Sequence, residues 1–378
     1  MRRVMLDKKI KVILCGGGTG GHIFPMISIA DEIKKRNLKN EILFIGSSDR
    51  MEMEIVPKYS YPIIGLWISG IKRSSFLLNI LFLGIPFLIK NFLLPFKIFH
   101  SILKSIYILI KYKPDYVIGF GGYSSGPFLL ISSILNFKTA IQEQNSFPGY
   151  TNRLLSKRVK LIFVAYNNLK KIFDNNNVLN LGNPIRKYNI NTNQDPFNYF
   201  NLDENKKTIL VLGGSLGAKS INEGILNNLS IIRESSFQVL WQTGDYYYDH
   251  ILSKKIEEKN LVVKSFIKRM DLAYKVADII ISRAGAIAIS ELSYISKPLI
   301  LIPSPNVVDD HQRKNANEIF RNGGCLLVED KDAKDNMLNQ AINLLDNSEM
   351  KIKMKKSLGK LAKPDAAKNI VSKIYEQI

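Results

Sequence analysis

Cysteine is almost missing from this chain. Cys15 and Cys325 stand far apart with no CxxC spacing, which excludes a disulfide framework and a cysteine-type zinc site and fits a reducing compartment. Histidine is scarce too, with four in 378 residues. No clustering of His and Asp with metal-ligand spacing stands out, so no bound metal or other cofactor is expected. Acid is short: 33 Asp and Glu face 53 Lys and Arg, a net charge of +20. Such a chain is drawn to anionic partners, although general enrichment in Lys, Asn and Ile accounts for part of the excess. In the most apolar part of the chain the longest charge-free stretch, Ser74 to Ile89 with Pro86 inside it, falls short of the ~20 residues of a spanning helix, so a transmembrane segment is disfavoured. Behind Met1-Arg2-Arg3, the apolar stretch before the first glycines is too short for a signal peptide core.

What is abundant is apolar surface in short runs. Hydrophobic residues make up 46% of the chain, enough for a packed core and, at this length, for two domains. Strands are predicted at 11–15, 42–45, 116–120, 140–142, 161–164, 208–212, 239–241, 279–282 and 299–302, with helical segments between most of them. This alternation predicts an α/β protein with parallel sheets covered on both faces.

A strand–glycine–helix pattern occurs twice, at Gly16-Gly17-Gly18-Thr19-Gly20-Gly21 and at Gly213-Gly214-Ser215-Leu216-Gly217. Their separation predicts that each opens its own doubly wound domain, with a boundary near 182–186. The first loop fits G-x-G-x-x-G, but the second strand ends Ile45-Gly46-Ser47-Ser48 without the acid a dinucleotide ribose requires. A P-loop is excluded, because His22-Ile23 follow Gly21 in place of Lys-Ser/Thr. A bare strand-to-helix turn is the alternative for the first loop, and a serine helix cap is the alternative for Ser215. Further polar clusters fall where strands end: 119–127, Gln142 to Asn145, Ser282 to Gly285 with Glu291 beyond, and Asp309 to Gln312. Together they look like a sugar-and-nucleotide site.

The stretches GGGTGGHIFP, GFGGYSSGP, EQNSFPGYTNR, GNPIR, GGSLGA, SRAGAIAISE and DDHQRKNA run from residue 16 to 317. In this order they resemble the MurG family, bacterial N-acetylglucosaminyltransferases that convert lipid I into lipid II. The resemblance implies a GT-B fold of two Rossmann-like domains, residues 1–185 and 186–363, with 364–378 packing back on the first. It implies that the C-terminal domain binds UDP-N-acetylglucosamine and that the N-terminal domain faces the lipid-linked acceptor. Thr19, Gly20 and Gly21 would then lie near the transferred sugar and diphosphate, and Asn145 would reach the sugar. Arg186 and Ser215 would hold the diphosphate, and Ile267 would present its backbone to the uracil. Ala286, Ile287, Ala288, Ile289, Ser290 and Glu291 would line the nucleotide, with Glu291 accepting from ribose hydroxyls. Gln312 would bond the N-acetylglucosamine. Leu216, Ala284 and Gln142 depart from the family's usual Gln, Ser and His.

Transfer with inversion needs a proton acceptor for the attacking hydroxyl. His22, with an ordinary pKa of about 6.5, suits that task, and an orienting role is its alternative. Glu143 is the substitute base. Residues 76–110 are strongly apolar, and from Lys72 to Lys113 there are seven Lys or Arg and no acid. This pattern predicts an interfacial patch on an anionic leaflet, with a buried core helix and, less favoured, a spanning segment as the alternatives, and the resemblance implies that the leaflet is the cytoplasmic face of the inner membrane. A nucleic-acid-binding role is disfavoured, because the densest basic stretch is aliphatic rather than interleaved with aromatics. A dinucleotide-dependent oxidoreductase leaves the second glycine loop unexplained. A related glycosyltransferase with another lipid acceptor is the nearest rival.

Overall fold

The computed structural model describes residues 9–70, 93–173, 177–186, 193–214, 216–254 and 258–378. Its contacts divide the chain into two compact units, Met1–Ile185 with Pro364–Ile378, and Arg186–Lys363.

The first unit carries a seven-stranded sheet, ordered β3-β2-β1-β4-β5-β6-β7. The strands are β1 Lys11–Cys15, β2 Glu41–Ser47, β3 Ile63–Leu66, β4 Tyr116–Gly119, β5 Thr139–Glu143, β6 Leu161–Val164 and β7 Val178–Asn180. All neighbouring pairs are parallel. A parallel sheet is covered on both faces, which is why its inner strands are continuous apolar runs. One face is packed by α1 (Gly20–Arg36), whose Ile23, Met26, Ile27, Ala30 and Ile33 meet Val12 and Leu14 of β1. The C-terminal helix, Ala366–Tyr375, joins the same core through Ile370, Val371 and Ile374. Polar contacts fix its register. Arg36 donates to the Lys368 carbonyl and the Ser372 hydroxyl, both at 2.7 Å, and Asn40 donates to the Tyr375 hydroxyl at 2.8 Å.

Four more helices of this unit matter below: α2 (Glu52–Ile55), α3 (Leu94–Tyr112), α4 (Ser125–Ile134) and α5 (Tyr150–Leu155).

The second unit repeats the plan with a six-stranded sheet, ordered β10-β9-β8-β11-β12-β13. These strands are β8 Lys207–Leu212, β9 Phe237–Gln242, β10 Leu261–Lys264, β11 Ile279–Ser282, β12 Leu299–Leu301 and β13 Leu326–Leu327, again all parallel. Three of its helices frame the site: α6 (Lys219–Leu226), α7 (Ala286–Ile295) and α8 (His311–Arg321).

Strand order reverses between β1 and β4 in the first sheet and between β8 and β11 in the second. Ligands of open parallel sheets bind beyond the carboxyl ends of the strands at such a reversal. The two glycine loops follow β1 and β8, so each opens at a reversal point.

Candidate functional site

In the first unit, the loop after β1 is compressed from two sides. A β-carbon on Gly122, whose φ is +83°, would lie 2.6 Å from the Gly17 carbonyl oxygen, so only glycine admits this approach of the second turn to the first. Thr19 is the extended N-cap of α1, and its carbonyl accepts from the amides of His22 and Ile23. Gly20 and Gly21 form the first helical residues. His22 therefore sits in the first turn of α1, with Nδ1 2.8 Å from the Gly17 carbonyl. A carbonyl only accepts, so Nδ1 carries the hydrogen and the basic lone pair of the neutral ring is on Nε2. Nε2 lies near Gly121, where a β-carbon would come within 3.1 Å of it.

Glu143, at the end of β5, is buried. Its carboxylate accepts from the Asn145 amide at 3.0 Å, the Asn145 side chain at 3.3 Å, the Gly149 amide at 3.1 Å and Asn152 at 2.8 Å. This corrects its reading as a substitute base: a carboxylate spent on four donors anchors the 145–152 loop and the start of α5. Gln142 is buried as well and donates to Asn183 at 3.2 Å, so this departure from the family pattern supports the chain after β7.

One buried group that sequence reading missed belongs here. Glu52, at the head of α2, accepts from the Gly18 amide at 2.8 Å and from the Ser47 amide at 2.9 Å. The amide that a phosphate would use in a dinucleotide loop is held by an internal carboxylate. That argues against the oxidoreductase reading.

The second unit holds a cavity of about 810 Å³ at the carboxyl ends of its strands. Gly213, Gly214, Leu216 and Gly217 border it after β8, Gln242 at the end of β9, Phe266 and Ile267 after β10, and Arg283 and Gly285 after β11. Ser304 follows β12, and Gln312 comes from α8. Ser215 lies outside the described residues. Helix α6 begins only at Lys219, with Ala218 as its N-cap, so the loop is longer than a serine cap at 215 would make it. Arg186 is exposed and is the first residue of this unit.

The run 286–291 meets the cavity only at Ala288 and Glu291, with Gly285 ahead of them. These positions are three apart, one face of α7. Ile289 is buried, Ser290 bonds back to the Ala286 carbonyl at 2.9 Å, and neither Ala286 nor Ile287 borders the cavity. Helical geometry thus brings Ala288 and Glu291, out of the expected run, to the cavity border. Ile267 borders the cavity with its amide donated to Gln242 Oε1 at 2.9 Å, so its carbonyl is the backbone group it can offer a ligand. Gln242 also donates to the Gly214 carbonyl at 3.0 Å, tying the glycine loop to the strand end beside it. Gln312 Oε1 accepts from the amides of Ala284 (3.2 Å) and Ser304 (2.9 Å), which leaves its Nε2 as the group that can donate to a ligand.

Four cations, Lys219, Arg283, Lys331 and Lys334, share the rim with Glu223, Glu291 and Asp330. Arg283 pairs with Asp330 and donates to Ser220 at 3.1 Å. Asp330-Lys331-Asp332 is an acid pair that sequence reading passed over, and Asp330 is committed to Arg283. Among the described residues no group of three His, Cys, Asp or Glu could hold a metal ion.

A second feature of the first unit is the outer face of α3. Phe99, Leu103, Tyr107 and Ile110 are exposed, whereas Ser101 and Ser105 are fully buried with Ile108 and Leu109. Exposed and buried residues recur at helical spacing, but large apolar side chains occupy the outer face while two serines share the inner one with Ile108 and Leu109. The buried hydroxyls are satisfied: Ser101 donates to the Trp67 carbonyl at 3.1 Å and Ser105 to the Ser101 carbonyl at 2.6 Å. Lys97 and Lys104 reach back from this helix to Ser69 and the Gly65 carbonyl. Residues 76–92 of the predicted patch lie outside the described residues.

Comparison with known proteins agrees with this layout. Residues 12–164 match the Glycosyltransferase family 28 N-terminal domain, and residues 208–370 match the Glycosyltransferase family 28 C-terminal domain. A UDP-N-acetylglucosamine–N-acetylmuramyl-(pentapeptide) pyrophosphoryl-undecaprenol N-acetylglucosamine transferase of Christiangramia forsetii is 45% identical over 376 residues, covering 99% of both chains. The protein of that name from Flavobacterium psychrophilum is 43% identical over 98% of both. The crystal structure of Acinetobacter baumannii MurG superposes with a TM-score of 0.76 at 25% identity, covering 98% of this chain and 100% of that one. A UDP-GlcNAc 2-epimerase from Neisseria meningitidis, bound to UDP-GlcNAc, gives 0.66 at 16% identity over 98% of this chain and 100% of that one, a likeness of fold alone. The chain belongs to glycosyltransferase family 28 and, within it, to the MurG family of N-acetylglucosaminyltransferases.

Proposed function

We propose that this chain moves N-acetylglucosamine from UDP-N-acetylglucosamine to the C4 hydroxyl of the muramoyl sugar of lipid I, giving lipid II for peptidoglycan. The observation that carries the reading is the cavity at the strand reversal of the second sheet, where Ile267, Glu291 and Gln312 meet. These groups complement the donor in order. The Ile267 carbonyl accepts from uracil N3–H, the Glu291 carboxylate accepts from the ribose hydroxyls, and Gln312 Nε2 donates to the sugar. The 213–217 loop and Arg186 receive the diphosphate, with Ser215 as a further donor. The first unit takes the acceptor, with Thr19, Gly20, Gly21 and Asn145 as its own candidates for contact with sugar.

In the reaction, the acceptor oxygen bonds to the anomeric carbon on the face opposite UDP, and the bond from that carbon to the β-phosphate oxygen breaks with its electron pair. The hydroxyl proton passes to Nε2 of His22, whose opposite nitrogen is fixed on the Gly17 carbonyl. Donors preorganised for the departing diphosphate are each worth about 3 kcal/mol at a dry site. The configuration inverts to a β-1,4 bond.

The lipid tail of the acceptor stays in the bilayer, and the apolar outer face of α3 meets it there. No described helix is long and apolar enough to cross a membrane. The reading is of a peripheral enzyme on the cytoplasmic side of the inner membrane, with the outer face of α3 set against the bilayer. Radiolabelled UDP-N-acetylglucosamine with a short-chain lipid I analogue tests the reaction: a β-1,4-linked disaccharide is expected, and no transfer to this acceptor would overturn it.

A further inference from the structure

We propose that Glu52 is a positioning residue that acts on His22 through a single peptide group, an inference that rests on the reading of His22 as the base. The peptide joining Gly17 to Gly18 is held at both ends. Its N–H donates to Glu52 Oε2 at 2.8 Å, and its C=O lies 2.8 Å from His22 Nδ1. A peptide group is planar, so fixing the direction of the N–H fixes the direction of the C=O. Hydrogen bonds in series also polarise one another: a carboxylate on the N–H makes the carbonyl a stronger acceptor for the imidazole N–H. The arrangement does through a peptide what a carboxylate bonded directly to a histidine does: it holds one tautomer and one ring orientation.

The surroundings are built around this carboxylate. Glu52 is fully buried, and its other oxygen accepts from the Ser47 amide at 2.9 Å. A β-carbon on Gly17 would stand 2.1 Å from Glu52 Oε1, and one on Gly46 would stand 2.5 Å from its Cγ. Two glycines, one from each flanking strand end, thus clear the space that lets the side chain reach the loop. Removing a carboxylate from solvent is costly. The Gly18 and Ser47 amides both require an acceptor here, and the one on Gly18 sits on the same peptide group whose carbonyl faces His22.

The test compares wild type with Glu52→Gln and Glu52→Asp. Histidine ¹⁵N spectra of the full chain report the His22 tautomer, assigned through His22→Gln. Wild type is expected to show hydrogen on Nδ1, and E52Q a shift toward hydrogen on Nε2. Turnover in E52Q is expected to fall about 10- to 100-fold, the range for a misplaced catalytic group, while UDP affinity, measured by calorimetry, stays within about twofold because the donor cavity is in the other unit. E52D, which keeps the carboxylate charge where E52Q keeps only a neutral acceptor oxygen, is expected to recover part of the loss. A wild-type spectrum with hydrogen on Nε2 overturns the proposal without any variant, so poor folding of E52Q does not shelter it. An unchanged His22 spectrum in a folded E52Q overturns it as well. If H22Q is inactive and E52Q leaves His22 unchanged, this inference alone falls. If H22Q turns over normally, the reading of His22 as base falls and takes the inference with it.

Discussion

The outward apolar face of α3 yields a sharp prediction, because it separates stability from lipid binding. Phe99 is 62% exposed and Leu103 is 51% exposed, one helical turn apart. Full burial of either side chain is worth about 1.5–3 kcal/mol, and somewhat more than half of each remains to be buried. Phe99→Ala with Leu103→Ala thus removes about 2–3 kcal/mol of interfacial binding, roughly 30- to 150-fold in partition coefficient at 1.4 kcal/mol per decade. Alanine is the best helix former, so the folded state loses little. The assay is sedimentation with vesicles containing anionic lipid at low salt, beside urea unfolding of the same protein. Weaker sedimentation with an unchanged urea midpoint is the expected pair. Unchanged binding would refute the interfacial role, and a large drop in midpoint would show that this face is covered in the native protein.

Four further outcomes follow from the site and the core. His22→Ala is expected to lower kcat by about 10²–10⁴-fold, and near-normal single-turnover rates would remove it as base. Gln312→Glu keeps the oxygen that binds Ala284 and Ser304 but loses the Nε2 donor; the KM for UDP-N-acetylglucosamine should rise about 2- to 10-fold while UDP itself binds as before, and equal weakening of both would place the residue elsewhere. Burial pushes the Cys15 and Cys325 thiols up to about 12, whereas an unfolded thiol titrates near 8.5. Between roughly pH 9 and 12 the unfolded chain therefore sheds protons that the folded chain keeps, and stability falls as pH rises through that window; Cys325→Ala should lessen the drop in urea midpoint from pH 8 to 10.5, and an identical drop would refute the linkage. Ile370→Ala in the C-terminal helix should cost about 2–5 kcal/mol, and a change under about 1 kcal/mol would mean that this helix does not belong to the first core.

The strands legible in the sequence were the inner ones. All nine predicted strands are present, and the four that were missed, β3, β7, β10 and β13, are the four edges of the two sheets. An inner strand of a parallel sheet is apolar on both faces and stands out as a run such as Ile279–Ser282. An edge strand is short and partly solvated; β13 has only two residues, and β10 is nowhere fully buried. The glycine loops were legible because their conformational demand is local. Glu52 and Gln242 were not, because their partners lie 34 and 25 residues away and nothing in Met51-Glu52-Met53-Glu54 separates a buried anchor from a solvated helix start. At 286–291 the resemblance implied the whole run, whereas Ala288 and Glu291 are the members of it that border the cavity, as the 100° step of a helix dictates.

The same strand–glycine–helix grammar is used twice, and the two copies differ in what satisfies the loop amides. In the second unit the loop after β8 opens onto a cavity rimmed by Lys219, Lys331 and Lys334, a setting that attracts an anionic ligand. In the first unit the amide of Gly18 is closed by Glu52, and the charge there is the protein's own. A phosphate brought to Gly18 would meet a carboxylate, so the positive end of α1 is turned to a different use: it carries an imidazole whose Nδ1 is pinned on the loop it follows. This is why glycine spacing alone, G-x-G-x-x-G included, does not identify a ligand until the partner of each amide is known.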